Sequence, residues 1–99
     1  MKKQYKYTLY KQDGTIVDLG TSRKKTFEEM YKILNCNLIE IIPHDYAVFK
    51  GYYELYGDEE ARYNENNHRN PHFKVLIDVL NQPWDIVGDV IKEEVYHDR

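Results

Sequence analysis

Apolar residues recur at helical spacing in the last third of the chain, at positions i, i+3, i+4 and i+7: Phe73, Leu76, Ile77 and Leu80. This stripe is typical of a helix that packs one face on a sheet. Asn70 is a suitable N-cap residue, and Pro71 has no N–H to lose at the first helical position. The pattern therefore predicts a capped helix over 70–81.

An earlier stretch repeats the same spacing: Phe27, Met30, Tyr31 and Leu34. Thr26 and Glu29 stand three residues apart, as in a capping box, where each side chain accepts a hydrogen bond from the backbone N–H of the other. Asn35 can adopt the left-handed conformation that closes a helix. We therefore predict another helix over 26–35.

Strand patterns occupy much of the remaining chain. Asp13 and Gly14 separate the stretches 5–11 and 15–19, which predicts a tight antiparallel hairpin because Gly accepts the positive φ of the turn. A β-branched run at 38–42 is predicted to be a central strand. The other predicted segments are a strand over 46–56, a brief edge strand at 61–63, an exposed loop over 64–70, a buried strand over 86–91 and a polar tail over 93–99.

The predicted order of elements is β-β-α-β-β-(β)-α-β, which is typical of an α+β fold. We expect a mainly antiparallel sheet of five or six strands with two helices packed on one face. A chain of 99 residues is long enough for one core and too short for two, so a single domain over 1–99 is predicted. The face opposite the helices would then be exposed.

Tyrosine is unusually frequent, with ten in 99 residues. On an exposed sheet face these side chains would offer large contact areas, and acidic side chains within 54–65 would attract basic partners. We therefore predict a partner-binding surface in this part of the chain. Its predicted residues are Tyr10, Tyr46, Tyr52, Tyr53, Glu54, Tyr56, Asp58, Glu59, Glu60, Asn64 and Glu65.

Charge is distributed unevenly along the chain. Residues 1–25 carry seven Lys or Arg and two Asp, whereas residues 26–99 carry seven Lys or Arg and fifteen Asp or Glu. The acidic body disfavours broad contact with a phosphate backbone, although the basic first hairpin keeps nucleic-acid binding open as an alternative. The single Cys36 cannot form an internal disulfide, and neither a membrane-length apolar run nor a signal peptide is recognisable. We expect a cytoplasmic protein that does not enter membranes.

The chain contains no recognisable catalytic or cofactor motif, so no enzymatic activity is predicted. His68 and His72 are four residues apart, but Pro71 puts the predicted helix start between them, and no close ligand pair such as CxxC accompanies them. Structural or surface roles are predicted for these histidines, and no metal site. Asp89 lies in an apolar run and should find a hydrogen-bond donor, with a ligand contact as the alternative.

Several short motifs resemble, in their order, domain-of-unknown-function family 3846, small uncharacterised proteins of phages and mobile elements. The similarity covers nearly the whole chain, although Asn35-Cys36 stands where that family tends to have glycines. It implies a viral or mobile-element origin and supplies no catalytic residues. The motifs are Gly14-Thr15-Ile16-Val17-Asp18-Leu19-Gly20, Thr26-Phe27-Glu28-Glu29-Met30, Ile39-Glu40-Ile41-Ile42-Pro43, Asn64-Glu65, Asn70-Pro71 and Ile86-Val87-Gly88-Asp89-Val90.

Together these observations predict a non-enzymatic viral or mobile-element accessory protein that binds a host protein in the host cytoplasm and thereby counters host defence. The predicted contact combines the tyrosine-rich sheet face with the acidic region. The first alternative is a protein that sequesters a small ligand or nucleotide in a pocket between two protomers, which requires a homodimer. The second is nucleic-acid binding through the basic first hairpin.

Overall fold

The computed structural model describes residues 3–42, 53–73, 76–77, 80 and 83–97. Five antiparallel strands form one sheet in the order β2-β1-β7-β4-β3, and two short strands pair separately as β5-β6. One α-helix accompanies them, so the α+β class is confirmed in this coarse form. The elements are β1 (Lys3–Tyr10), β2 (Ile16–Ser22), α1 (Phe27–Leu34), β3 (Ile39–Ile41), β4 (Tyr53–Asp58), a 3₁₀-helix (Ala61–Tyr63), β5 (Leu76–Ile77), β6 (Pro83–Trp84) and β7 (Val90–His97).

The first hairpin follows from local turn chemistry and confirms the prediction. Strands β1 and β2 pair antiparallel around a turn in which Gly14 has a φ of 96°, a conformation that an L-residue rarely adopts. The Asp13 carboxylate accepts a hydrogen bond from the Thr15 N–H at 2.8 Å, which holds the turn in place. This hairpin forms one end of the sheet.

Helix α1 begins and ends as its sequence predicts. The Thr26 hydroxyl accepts from the Glu29 N–H at 3.2 Å, and the Glu29 carboxylate accepts from the Thr26 N–H at 3.2 Å. Asn35 closes the helix at a φ of 51°. Met30 is buried against the sheet and Leu34 packs against the same core, whereas Phe27, the first residue of the predicted stripe, is 52% exposed.

The second predicted helix, over 70–81, is wrong. Residues Leu76–Ile77 form strand β5 instead, paired antiparallel with Pro83–Trp84. The sequence contains a competing pattern, since the β-branched residues Val75, Ile77 and Val79 alternate with the period of a strand. The helix-like spacing and the strand-like spacing overlap here, and tertiary pairing selects the strand.

The predicted central place of the strand at 38–42 is wrong. Strand β3 lies at the end of the described sheet, whereas β7 lies in its middle between β1 and β4. The predicted polar tail over 93–99 is therefore wrong for residues 93–97, which belong to β7, and of the predicted strand 86–91 only residues 90–91 do. The charged residues of β7 are accommodated because side chains from distant parts of the chain bind them, as described below.

Both faces of the sheet are covered. The face under α1 buries Tyr7, Leu9, Met30, Tyr56 and Ile91. The opposite face is covered by irregular segments that contribute Phe73 and Ile86, together with sheet residues: Ile42, Tyr53, Leu55 and Val90. The expectation of one open face is therefore wrong, because a loop replaces the missing helix as a cover.

Two smaller predictions change for related reasons. Residues 61–63 form a 3₁₀-helix rather than an edge strand. The predicted exposed loop over 64–70 includes Asn70, which is fully buried and donates hydrogen bonds to the carbonyls of Tyr10 and Gly88 at 2.8 Å each. Of the predicted strand 46–56, residues 53–56 belong to β4, and residues 46–52 lie outside the described residues.

Candidate functional site

The predicted tyrosine surface does not form on β4. Tyr53 is 5% exposed and Tyr56 is 4% exposed, and they belong to the cores on opposite faces of the sheet. Their spacing of three residues requires this, because side chains of a strand alternate between faces. Tyr10 is half-buried against two aromatic rings. Tyr46 and Tyr52 lie outside the described residues.

The predicted acidic residues gather where β4 ends. Asp58 closes the strand and its Oδ1 accepts a hydrogen bond from the Glu60 N–H at 2.9 Å. The Glu59 N–H donates to the Leu38 carbonyl at 3.0 Å, so the turn is tied to the residue before β3. Glu59 and Glu60 are exposed. The other predicted residues lie elsewhere along the chain, half-buried on β4 or exposed after the 3₁₀-helix: Glu54, Asn64 and Glu65.

Glu40 joins this acidic cluster from the middle of β3, opposite Gly57 on β4. Burial raises the pKa of the Glu40 carboxyl above its ordinary value; the nearby guanidinium of Arg62 lowers it, and the carboxylates of Glu59 and Asp58 raise it further. We call Glu40, Asp58, Glu59 and Glu60 the acidic edge. Sequence reasoning missed Glu40 because the apolar run around it predicted an interior strand.

Two large apolar side chains are exposed beside Tyr56, in the same part of the sheet as the acidic edge. Phe27, at the start of α1, is 52% exposed, and Ile41 of β3 is 57% exposed. Both adjoin Tyr56, since Ile41 is its partner across the strand pair and the Phe27 ring lies 6.3 Å from the Tyr56 ring. We call Phe27 and Ile41 the apolar patch. Their apolar character predicts burial. Ile41 is exposed because β3 lies at the end of the described sheet, and Phe27 is exposed at the first position of α1.

A buried carboxylate lies at the centre of the face under α1. Glu93 is 1% exposed, and the Tyr7 hydroxyl donates to its Oε2 at 2.6 Å. Its Oε1 accepts from the Tyr56 hydroxyl at 3.4 Å and forms an ion pair with the Lys24 ammonium at 3.1 Å. Both carboxylate oxygens are therefore paired, as a buried charge requires.

The same network holds the connector between β2 and α1. The Lys25 N–H donates to the Tyr7 hydroxyl at 2.8 Å. Burial and the hydrogen bond to Glu93 raise the pKa of Tyr7 well above its ordinary value, and burial and the charge of Glu93 raise the pKa of Tyr56 to about 12. Both phenols consequently remain protonated donors near neutral pH. A carboxylate with its acceptor positions filled is not poised to take a proton from a substrate, so the network is structural.

The histidines that the sequence singles out hold the turn of the first hairpin. His68 Nε2 lies 3.0 Å from the Gln12 carbonyl oxygen, and His72 Nε2 lies 2.9 Å from that of Gly14. Asp89 has a donor of the kind expected, because its Oδ1 accepts from the Gln12 N–H at 2.9 Å. Among the described residues, no group of three or more His, Cys, Asp or Glu side chains is arranged to hold a metal ion.

Other candidate chemistry is weak within the described parts of the chain. Burial raises the pKa of the Cys36 thiol, and the nearby Asp58 carboxylate raises it further, so the reactive thiolate is disfavoured. Two cavities among described residues have volumes of about 10 and 50 Å³. Sites for drug-sized ligands are roughly 300–1,000 Å³, so each of these is too small.

Any functional assignment for this chain depends on the geometry described above. The chain matches no family model, no curated protein and no solved structure. The resemblance to domain-of-unknown-function family 3846 stays a prediction. Within the described residues, α1 is too short to cross a bilayer, and no other helix is long and apolar enough to do so.

Proposed function

We propose that this chain is a non-enzymatic binding protein that receives a segment of another protein at the acidic edge and the apolar patch. The observation that carries this proposal is the exposure of Phe27 and Ile41, each more than half exposed, around Tyr56, with Ile41 next along β3 to Glu40 of the acidic edge. Large apolar side chains rimmed by polar ones are typical of protein contact sites. The partner is therefore a protein segment that carries both apolar and basic side chains.

The acidic part of the predicted contact region is kept in this proposal, and the tyrosine part is replaced. Tyr53 and Tyr56 are core residues, so they cannot supply contact area to a partner without unfolding β4. The resemblance to a family of phage and mobile elements supports a further proposal, that the partner is a host protein and that binding counters host defence. This origin would make the host cytoplasm the place of action.

Neither alternative function has comparable support among the described residues. A nucleotide needs a larger site than the cavities of a single chain described above, so this alternative depends on a pocket formed with a second protomer. For nucleic acids, two cations of the basic first region are engaged internally, since Arg23 pairs with Glu29 at 3.0 Å and Lys24 pairs with Glu93 at 3.1 Å. Cations that are already paired release fewer counterions on binding a phosphate backbone.

The experiment compares proteins captured from a host lysate by the wild type and by two matched variants. Ile41→Lys places a cation in the apolar patch, whereas Ile16→Lys makes the same change at the other end of the sheet, where Ile16 is also 57% exposed. We expect specific partners to be retained by the wild type and by Ile16→Lys and lost by Ile41→Lys. Partners captured equally by all three proteins would refute the proposed site.

A series of charge variants at Glu59, in the turn that follows β4, provides an independent measurement of partner binding. Glu59 is exposed, so Glu59→Gln and Glu59→Lys should fold normally, which circular dichroism can check. Binding of the captured partner should weaken from wild type to Glu59→Gln and again to Glu59→Lys, and it should weaken further as salt is added. An affinity that does not change across the series would contradict a basic partner segment.

A further inference from the structure

Strand β3 has one side free for pairing within the described structure. The Leu38 carbonyl and the Ile42 N–H both bond to β4, at 3.0 and 2.8 Å. In an antiparallel pair, residues that bond to the partner strand alternate with residues that point their backbone groups the other way. Ile39 and Ile41 therefore direct their N–H and C=O groups away from β4, where no described residue bonds them.

We propose that the partner segment binds by strand addition, pairing its backbone with Ile39 and Ile41 while its side chains alternate between apolar and basic. This inference rests on the proposed function and specifies how the site works. A strand added to a sheet edge gains affinity from main-chain hydrogen bonds and specificity from alternate side chains. One side of β3 is apolar and the other carries the Glu40 carboxylate. The side chains of the partner should therefore alternate between apolar and basic.

On the side of α1, the added strand would meet apolar side chains. Ile39 and Ile41 face this side together with Tyr56, and the Phe27 ring packs on the edge of Tyr56. An apolar side chain of the partner at this position would cover Ile41 and Phe27. Burial of such surface favours binding by removing apolar area from water.

On the other side of β3, the added strand would meet the Glu40 carboxylate, because Glu40 alternates with Ile39 and Ile41. Asp58 stands opposite Ile39 and therefore starts from the α1 side, but its charge and that of Glu59 still lie close enough to raise the pKa of the Glu40 carboxyl. A Lys or Arg of the partner next to Glu40 would offset the repulsion among these groups. Arg62 already offsets part of this repulsion.

Charge also favours a basic partner segment over a second copy of the chain at the edge of β3. Pairing β3 with β3 of another copy would bring two acidic edges together, and like charges on adjacent strands destabilise a sheet. The other end of the sheet is less suited to strand addition. Strand β2 carries a bulge beside Tyr7, where Gly20 has a φ of 81° and the Asp18 carboxylate accepts from the Gly20 N–H at 2.8 Å. Bulges and charges of this kind protect edge strands.

The test uses three synthetic peptides and measures their affinity for the intact chain. The first alternates Val and Lys, the second has the same composition with all Val before all Lys, and the third is the alternating peptide with N-methyl groups on the residues that would pair with β3. We expect the alternating peptide to bind, and both other peptides to bind at least about tenfold more weakly. N-methylation removes the backbone donors without changing charge.

Variants of the chain locate the binding. Ile41→Lys and Glu40→Lys should each weaken binding of the alternating peptide at least about tenfold, and Ile16→Lys should leave it unchanged. Glu40→Gln serves as the conservative variant if Glu40→Lys fails to fold, and an unchanged affinity in Glu40→Gln would overturn the basic half of the alternation.

The outcomes separate the binding mode from the proposed function. Equal binding of all three peptides, with partner capture still lost in Ile41→Lys, would overturn strand addition and leave the binding site standing. If no peptide binds, and if the wild type and Ile41→Lys capture the same partners, both strand addition and the proposed function are overturned. Sedimentation that shows a dimer of the wild type and a monomer of Ile41→Lys would overturn the partner segment in favour of a second copy.

Discussion

Replacing Tyr7 with Phe would test whether the buried Glu93 network stabilises the fold. The ring of Tyr7 is fully buried, and Phe preserves that ring and its packing. Only the hydroxyl is lost, together with its hydrogen bond to Glu93 at 2.6 Å and the one it accepts from the Lys25 N–H at 2.8 Å. The change therefore isolates polar contacts from hydrophobic burial.

The expected loss of stability follows from these two contacts. A hydrogen bond to a charged group contributes about 1.5–3 kcal/mol, and an unsatisfied backbone N–H that water partly reaches adds about 1 kcal/mol. The free energy of unfolding should therefore fall by about 2.5–4 kcal/mol. In a domain of this length each kcal/mol lowers the melting temperature by roughly 4–8 °C, so Tyr7→Phe should lower it by at least about 10 °C.

Urea denaturation followed by circular dichroism measures this difference, with Tyr31→Phe as the matched control. Tyr31 is half-buried on α1, and its hydroxyl forms no hydrogen bond with any described residue. Tyr31→Phe should change the free energy of unfolding by less than about 0.5 kcal/mol. If both variants lose the same small amount, the reasoning about Glu93 is wrong.

The remaining predictions concern the helix cap, the buried loop and alkaline pH. Thr26→Ala should destabilise the chain by about 1 kcal/mol and Thr26→Ser much less, in thermal melts, because only Ala removes the capping oxygen. Asn70→Asp should cost about 3–5 kcal/mol in urea denaturation because a carboxylate would face two backbone carbonyls in a fully buried position, whereas the exposed Asn66→Asp should be nearly neutral. Tyr7 and Tyr56 have raised pKa values in the folded state, so their stabilisation is complete below the ordinary value of 10.0 and is lost as pH rises through the folded values, about 12 for Tyr56. Urea midpoints should therefore fall as pH rises above 10, and a midpoint that stays constant there would contradict the network.

The sequence could predict only part of the candidate site. Asp58, Glu59 and Glu60 are predicted from the sequence to bind a partner because acidic side chains attract basic ones, and Glu59 and Glu60 are exposed as such a role requires. Glu40 and the apolar patch were missed because an apolar run with one carboxylate is equally compatible with a central and an end strand. Whether this strand lies in the middle or at the end of the sheet depends on the order of all the strands. Residues 39–41 by themselves carry little information about that order.

The turn at Gly14 and the cap at Thr26 were predictable from the sequence alone, because the hydrogen bonds that define them join residues within four positions of one another. The central place of β7 was decided only by the tertiary structure. Glu93 becomes tolerable in the core when the Tyr7 hydroxyl, 86 residues away, and the Lys24 ammonium both reach it. The overlap of helical and strand spacing after Asn70 was likewise settled by pairing with Pro83–Trp84. Local signals thus define turns and caps, whereas the burial of charge and the ordering of strands require partners that only the folded chain brings together.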